Sequence, residues 1–148
     1  MATDYSPEAG TAEVNTTART MGILSIVAGI IMILAAGLTW FVVTDQLAAE
    51  NITVPPDAAC AAGDSVDGPI GAYCMADIIN THSLESTNGL TYAELDRDDP
   101  LRDVAQNASF LRASLFTSVV AYGVAAMAAG IGLVFILLGV GLTAVAKR

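Results

Sequence analysis

Charge is missing from two long stretches of this sequence. No Asp, Glu, Lys or Arg occurs in the 25 residues from Thr20 to Thr44, nor in the 34 residues from Ala113 to Ala146. A water-soluble fold keeps one wet face on each surface element, so charge recurs along it at short intervals. Two such runs exclude that pattern. Basic residues are also few, six against 15 acidic ones, and a net charge of −9 excludes the basic footprint of a nucleic-acid binder. Histidine occurs once, at His82, and cysteine twice, at Cys60 and Cys74. One imidazole and two thiols do not fill a tetrahedral zinc site. Neither charge-free run holds an ionisable group other than Tyr122. Pumps and proton relays use acids and bases within the membrane, so their absence argues against that class. The chain has no Gly-rich phosphate loop either.

What fills the two runs is apolar. Gly22 to Val43 reads GILSIVAGIIMILAAGLTWFVV, and Leu115 to Val140 reads LFTSVVAYGVAAMAAGIGLVFILLGV. A bilayer core about 30 Å thick needs roughly 20 such residues in a helix. In lipid each segment must satisfy its own backbone, which leaves helix as its form. A signal peptide is the competing reading of the first run. The residues before it are acidic (Asp4, Glu8, Glu13), and its length exceeds the usual 7–15-residue signal core, which favours a retained anchor. The expected fold is an all-α membrane protein, a two-transmembrane-helix hairpin with a disulfide-closed extracytoplasmic loop domain. Its parts are a cytoplasmic tail at 1–19, a first span at 20–44, an acidic domain at 45–112, a second span at 113–146 and a cytoplasmic end at 147–148. Lys and Arg beside membrane helices favour the cytoplasm. Arg19, Lys147 and Arg148 therefore set both termini inside the cell membrane, against Arg102 and Arg112 on the loop side. Trp40 lies where an interfacial anchor belongs.

The loop holds twelve of the acids and both cysteines. A Cys60–Cys74 disulfide suits an oxidising compartment and agrees with an outward loop. Within the loop, Ile52 to Val54 is expected as a short strand and Asp67-Gly68-Pro69 as a turn. Apolar residues at helical spacing predict a helix over about 72–87, stopped at Asn88-Gly89. Thr91 and Glu94 match a capping box that opens a short helix. Asp99 followed by Pro100 predicts an N-cap and a helix from about 100 to 146, close to 70 Å long at about 1.5 Å per residue.

Candidate chemistry is sparse. His82 is a ligand or relay candidate only if partners surround it. The run Asp96-Arg97-Asp98-Asp99 is either a solvated face or a set of oxygen ligands for Ca²⁺, without the loop pattern of a calcium motif. No catalytic, cofactor or metal site is expected. Small residues are abundant, and in lipid they let helix backbones approach closely. Ser25 and Gly29 form a small-xxx-small pair. Ala121, Ala125, Ala129 and Gly132 make one stripe on the second run. Ala126 and Gly130, with Gly123 and Gly141, make another, while Ile136 reads as lipid-facing. One stripe closes a hairpin, and the surplus points to a protein partner.

The stretch NGLTYAELDRDDPLRDVAQNASFLRASLFTSVVAYGVAAM, with GILSIVAGIIMILAAGLTWFVV and ADIINTHSLE, resembles a family of small two-helix actinobacterial membrane proteins. These often bear the label aromatic ring-opening dioxygenase. An extradiol dioxygenase would hold iron with two histidines and a carboxylate, and this chain has one histidine. In build the chain is also similar to small accessory subunits of respiratory supercomplexes of the cytochrome bcc-aa3 type. The resemblance implies a non-catalytic accessory or assembly subunit, in contact with the lipid bilayer and with other membrane subunits. The alternatives are a membrane-anchored binding or sensor module for a cation or envelope component, and a membrane enzyme built on His82 and loop carboxylates.

Overall fold

The computed structural model describes residues 7–146, with side chains from residue 15 onward. Lys147 and Arg148, which carry part of the orientation argument, lie outside the described residues. Three helices follow in order: α1 (Pro7–Ala49), α2 (Pro69–Ser86) and α3 (Arg102–Val145). The chain divides into two compact units. One comprises the stretches up to Leu38 and from Ala125 onward, and the other is Thr39–Val124. α1 and α3 run through both. Each is long and apolar enough to cross a membrane, over Asn15–Ala49 and Arg102–Val145. Only 11% and 17% of their most apolar stretches are buried by the rest of the chain, whereas the core helix of a soluble protein is mostly buried.

In the first unit the two helices meet along a seam of small residues. Gly22, Gly29 and Ala36 on α1 are buried, as are Ala125, Gly132 and Gly139 on α3. Each set recurs every seven residues, the repeat of helices that pack at a shallow angle. The outer faces carry exposed Leu, Ile, Val and Phe, including Leu34, Leu38, Leu133 and Leu137.

In the second unit a core gathers Leu47, Val54, Val66, Ala72, Cys74, Ala76, Leu115 and Tyr122. The expected strand at Ile52–Val54 is reduced to a single antiparallel bridge, Thr53 to Ser65. Pro55 and Pro56 follow at once and lack the N–H groups a longer ladder needs. Asp67-Gly68-Pro69 opens α2 instead of forming a free turn: Gly68 is the N-cap and Pro69 the first residue. Proline is favoured there because its missing N–H would have no helical partner. Gly71 allows the first turn of α2 to lie on the bridge, since a Cβ there would come within 3.1 Å of the Ser65 carbonyl oxygen. α2 ends as expected, with Asn88 at φ 54° and Gly89 at φ 83°, the left-handed stop of a helix.

The capping-box pair is present without its helix. The Thr91 amide and hydroxyl both donate to the Glu94 carboxylate, at 2.8 and 2.7 Å, around a single turn. These bonds hold the Glu94 carboxyl below its ordinary range. Asp98-Asp99-Pro100 follows too soon for the turn to propagate. Asp99 behaves as expected: its carboxylate accepts from the Leu101 amide at 2.8 Å and caps α3. Arg102 ties the segment down, donating to the Leu95 carbonyl and lying over the Tyr92 ring 4.2 Å from its centre.

Cys60 and Cys74 form a disulfide with their Cα atoms 5.6 Å apart. It joins the Pro-rich segment to α2. Closing a loop of about 15 residues contributes roughly 3 kcal/mol in the chain-entropy account. Reduction should therefore raise amide exchange through residues 52–66, measured by mass spectrometry, and leave the amides around Gly29 and Gly132 as protected as before. Equal protection of 52–66 with and without reductant would show that the bridge and core hold the segment without the disulfide.

Candidate functional site

The geometry separates the glycines of the two long helices into two classes. At the seam, a Cβ on Gly132 would lie 2.7 Å from the Gly29 carbonyl oxygen, and one on Gly22 would lie 2.8 Å from the Gly139 carbonyl oxygen. Real Cβ atoms do not approach so closely, so these positions exclude every other residue unless the helices part. Gly22 faces Gly139 and Gly29 faces Gly132, and the same antiparallel register carries Ala36 to Ala125. The Ser25 hydroxyl donates across the pair to the Phe135 carbonyl at 2.7 Å. In contrast, a Cβ on Gly37, Gly130 or Gly141 would meet nothing within 4 Å among the described residues. Gly123, in the second unit, is open in the same sense.

Of the residues expected at helix interfaces, Ser25, Gly29, Ala125 and Gly132 lie on the seam, with Ala129 partly buried beside them. Ala121 is partly buried in the second unit. Ala126 and Gly130 are exposed. Ile136 is not lipid-facing: a Cβ on Gly29 would come within 2.8 Å of its side chain. Gly22, Ala36 and Gly139 complete the seam outside the stripes expected from the sequence, because the two helices meet at every seventh residue.

The Tyr122 phenol of the second unit belongs to a buried residue, 2% exposed. It donates to the Asp67 carbonyl at 3.3 Å and lies 2.8 Å from the Thr44 hydroxyl. The phenol has one proton, so the Thr44 hydroxyl is the donor of the second bond. The Trp40 ring packs edge-on against Tyr122, with centres 4.7 Å apart. One side chain of α3 thereby holds α1 and the start of α2.

His82 and Asp57 form an exposed pair, Nε2 to Oδ2 at 2.7 Å. The hydrogen bond from His82 holds the Asp57 carboxyl below its ordinary 3.8, with smaller help from the backbone. An exposed pair of this kind contributes little. No third ligand joins it, and no group of three or more His, Cys, Asp or Glu side chains is placed to hold a metal among the described residues. Asp96 to Asp99 line a shallow, open hollow on the surface.

The chain matches no protein-family model, no curated protein and no solved structure.

Three outcomes follow from this geometry. Gly132→Ala should lower the thermal midpoint of the full chain in mild detergent, because overpacking a tight contact costs about 1–3 kcal/mol. Gly141→Ala, on the open face, should leave it unchanged or raise it slightly, because the helix loses a glycine without a clash. Equal midpoints would show that the seam does not hold the pair. Tyr122→Phe leaves the Asp67 carbonyl without its partner, a loss of about 1–3 kcal/mol for a buried acceptor. It should speed protease cleavage between Ile52 and Gly68, and wild-type cleavage rates would contradict the role given to the phenol. The Asp57 carboxyl is depressed by its partner, so the pair's contribution is present above pH 3.8 and is lost as the pH falls through the lower folded value. Acidification below about pH 4 should raise exchange at residues 56–60, and His82→Ala should abolish that pH dependence.

Proposed function

We propose that the chain is a two-span membrane protein serving as a non-catalytic accessory or assembly subunit of a larger membrane complex. The observation that carries this reading is the open small-residue face of α3. Ala126, Gly130 and Gly141 are exposed, and the hairpin uses none of them. In lipid, a Leu or Ile at these positions would cost the hairpin nothing. Small residues there are of use to a second protein backbone, which they let approach within dispersion range. The likeness in build to accessory subunits supports a respiratory complex of the cytochrome bcc-aa3 type as the partner. The basic residue Arg19 and the disulfide in the loop support cytoplasmic termini and an extracytoplasmic 45–112.

Gly130→Leu tests the proposal. A Leu side chain there clears the hairpin but holds a facing backbone away, removing many contacts of about 0.1–0.2 kcal/mol each. The substituted chain should still insert, and its thermal midpoint should not fall. Its recovery with complex subunits from mild detergent, read by mass spectrometry, should fall several-fold. Leu137→Ile, on an exposed apolar face, should change nothing. Recovery of the wild-type chain alone, or equal recovery of both variants, would overturn the subunit reading and leave α3 as an anchor.

A further inference from the structure

The second unit carries an exposed patch that the subunit reading does not use. The first turns of α2 present Ile70, which is 72% exposed, and Tyr73, which is 51% exposed. Neither joins the core, although Ala72 and Cys74 beside them are buried in it. The Tyr73 ring meets the Phe116 ring of α3 edge-on at 6.1 Å. One helical turn before Phe116 stands Arg112, its guanidinium 5.9 Å from the Phe116 ring centre.

Arg112 has no anionic partner. Among the described residues no carboxylate lies within salt-bridge distance of it. Its Nε is buried and makes no hydrogen bond. No acid stands three or four positions away on α3, where helical ion pairs form. The nearest acid in α3 is Asp103. Arg102, also partly buried without a carboxylate, donates to the Leu95 carbonyl, whereas no such bond satisfies the Arg112 Nε. The buried Nε is out of reach of an outside ligand, but the two Nη atoms of the planar guanidinium match a phosphate oxygen pair.

The position of the patch along α3 selects the source of that phosphate. Arg112 is the last charge before the 34 uncharged residues Ala113–Ala146. At about 1.5 Å per residue that run spans roughly 51 Å, well beyond the ~30 Å hydrocarbon core. The surplus belongs to the headgroup layers at its two ends. Tyr73 touches Phe116, and the Asp67 carbonyl reaches Tyr122, so the start of α2 lies beside the first turns of this run. The far end of α2 lies elsewhere: Ile79 and Ser86 line a hollow with Val104 and Leu111 of α3. α2 therefore runs antiparallel to α3, with its N-terminal turn toward the uncharged run and its C-terminal turn away from it.

We infer that the N-terminal turn of α2 docks in the outer headgroup layer of the bilayer, with Ile70 and Tyr73 at the acyl boundary and Arg112 on a phospholipid phosphate. Tyr at such a boundary keeps its ring in apolar surroundings and its hydroxyl in water. Ile70 adds apolar area, worth about 25 cal/mol per Å² of general transfer. The docking is continuous with the lipid-facing surface of α3 and needs no partner protein. It rests on the reading that α3 spans a membrane.

Fluorescence depth measurement on the full chain separates the two. The purified protein is placed in vesicles of phosphatidylcholine and phosphatidylglycerol, three to one, with spin labels near the headgroups or at the bilayer centre. Native Trp40 reports insertion. In a Trp40→Phe background, Tyr73→Trp reports the patch and Ser86→Trp the far end of α2. The tryptophan at position 73 should be quenched at least threefold more by the shallow label than by the deep one, and that at position 86 by neither. Arg112→Gln should halve the shallow quenching at position 73, and Arg112→Lys should restore most of it. If Trp40 is quenched and position 73 is as unquenched as position 86, the docking is wrong while insertion stands. If Trp40 is unquenched as well, both fall. Position 73 unquenched in vesicles yet shielded from acrylamide in native membranes would assign the patch to a protein neighbour and overturn the inference. Unchanged quenching in Arg112→Gln would overturn the phosphate contact.

Discussion

The backbone of α1 and the backbone of α3 meet at Gly29 and Gly132 with no side chain between them. The rest of the first unit follows from that contact. A Cβ at either glycine collides with the carbonyl of the other, so the pair fixes how far apart the helices lie. It also fixes their register, because a slip of one residue would bring Ile30 or Ile131 to the crossing. The second pair, Gly22 with Gly139, repeats the constraint seven residues along each helix. Close approach multiplies small dispersion gains over many atoms. It also brings the Ser25 hydroxyl within reach of a carbonyl on the facing helix, a bond that a Leu-lined interface would hold apart. The large apolar residues are displaced to the outside, where they are exposed.

The second unit solves a different problem with different means. Between α1 and α2 the chain has little regular structure, so its polar groups need individual partners. The Val54 amide donates to the Asp64 carbonyl and the Val66 amide to the Ile52 carbonyl, both at 2.9 Å. The disulfide ties the segment to α2 from one side, and the Tyr122 phenol ties its end to α3 from the other. After α2, the buried Thr87 hydroxyl shares its proton between the Ser83 and Leu90 carbonyls, and Arg102 bonds to that of Leu95. Each of these is a single contact with a named partner, so the unit has several independent points at which it could be loosened.

Much of this was legible in the sequence. Charge-free runs announce long apolar helices because lipid and charge are incompatible, and that reading needs no tertiary information. The Asp99 cap, the Asn88-Gly89 stop and the cysteine pairing were also readable, since each depends on a few neighbouring atoms or on a count of two. The Thr91–Glu94 motif was read as a helix start, and its hydrogen bonds are present, but the next breaker ends it after one turn. The register of the helix pair was not legible at the spacing used. Gly130 and Gly132 stand two residues apart in one apolar run, with the same composition around them. One is closed by Gly29 and the other is open. Only the crossing, set by residues more than a hundred positions away, distinguishes them. Ile136 was misplaced for the same reason.

That distinction bears on why the open glycines exist. Glycine in a helix interior costs roughly 0.5–1 kcal/mol relative to alanine, because it has more backbone freedom to lose. At Gly22, Gly29, Gly132 and Gly139 the cost is offset within the chain, since no other residue allows the close approach. At Gly37, Gly130 and Gly141 nothing among the described residues offsets it, and an alanine would fit without a contact. A helix whose only task is to anchor would be served better by alanine or leucine at those positions. The unrecovered cost is of the same order as the dispersion gain that a second backbone would return there. Arg112 shows the same pattern in the second unit: a guanidinium with a buried, unbonded Nε is also a local cost with no internal return. On the two proposals made above, the missing return would come from outside the chain, from a protein backbone for the glycines and from a phosphate for the arginine.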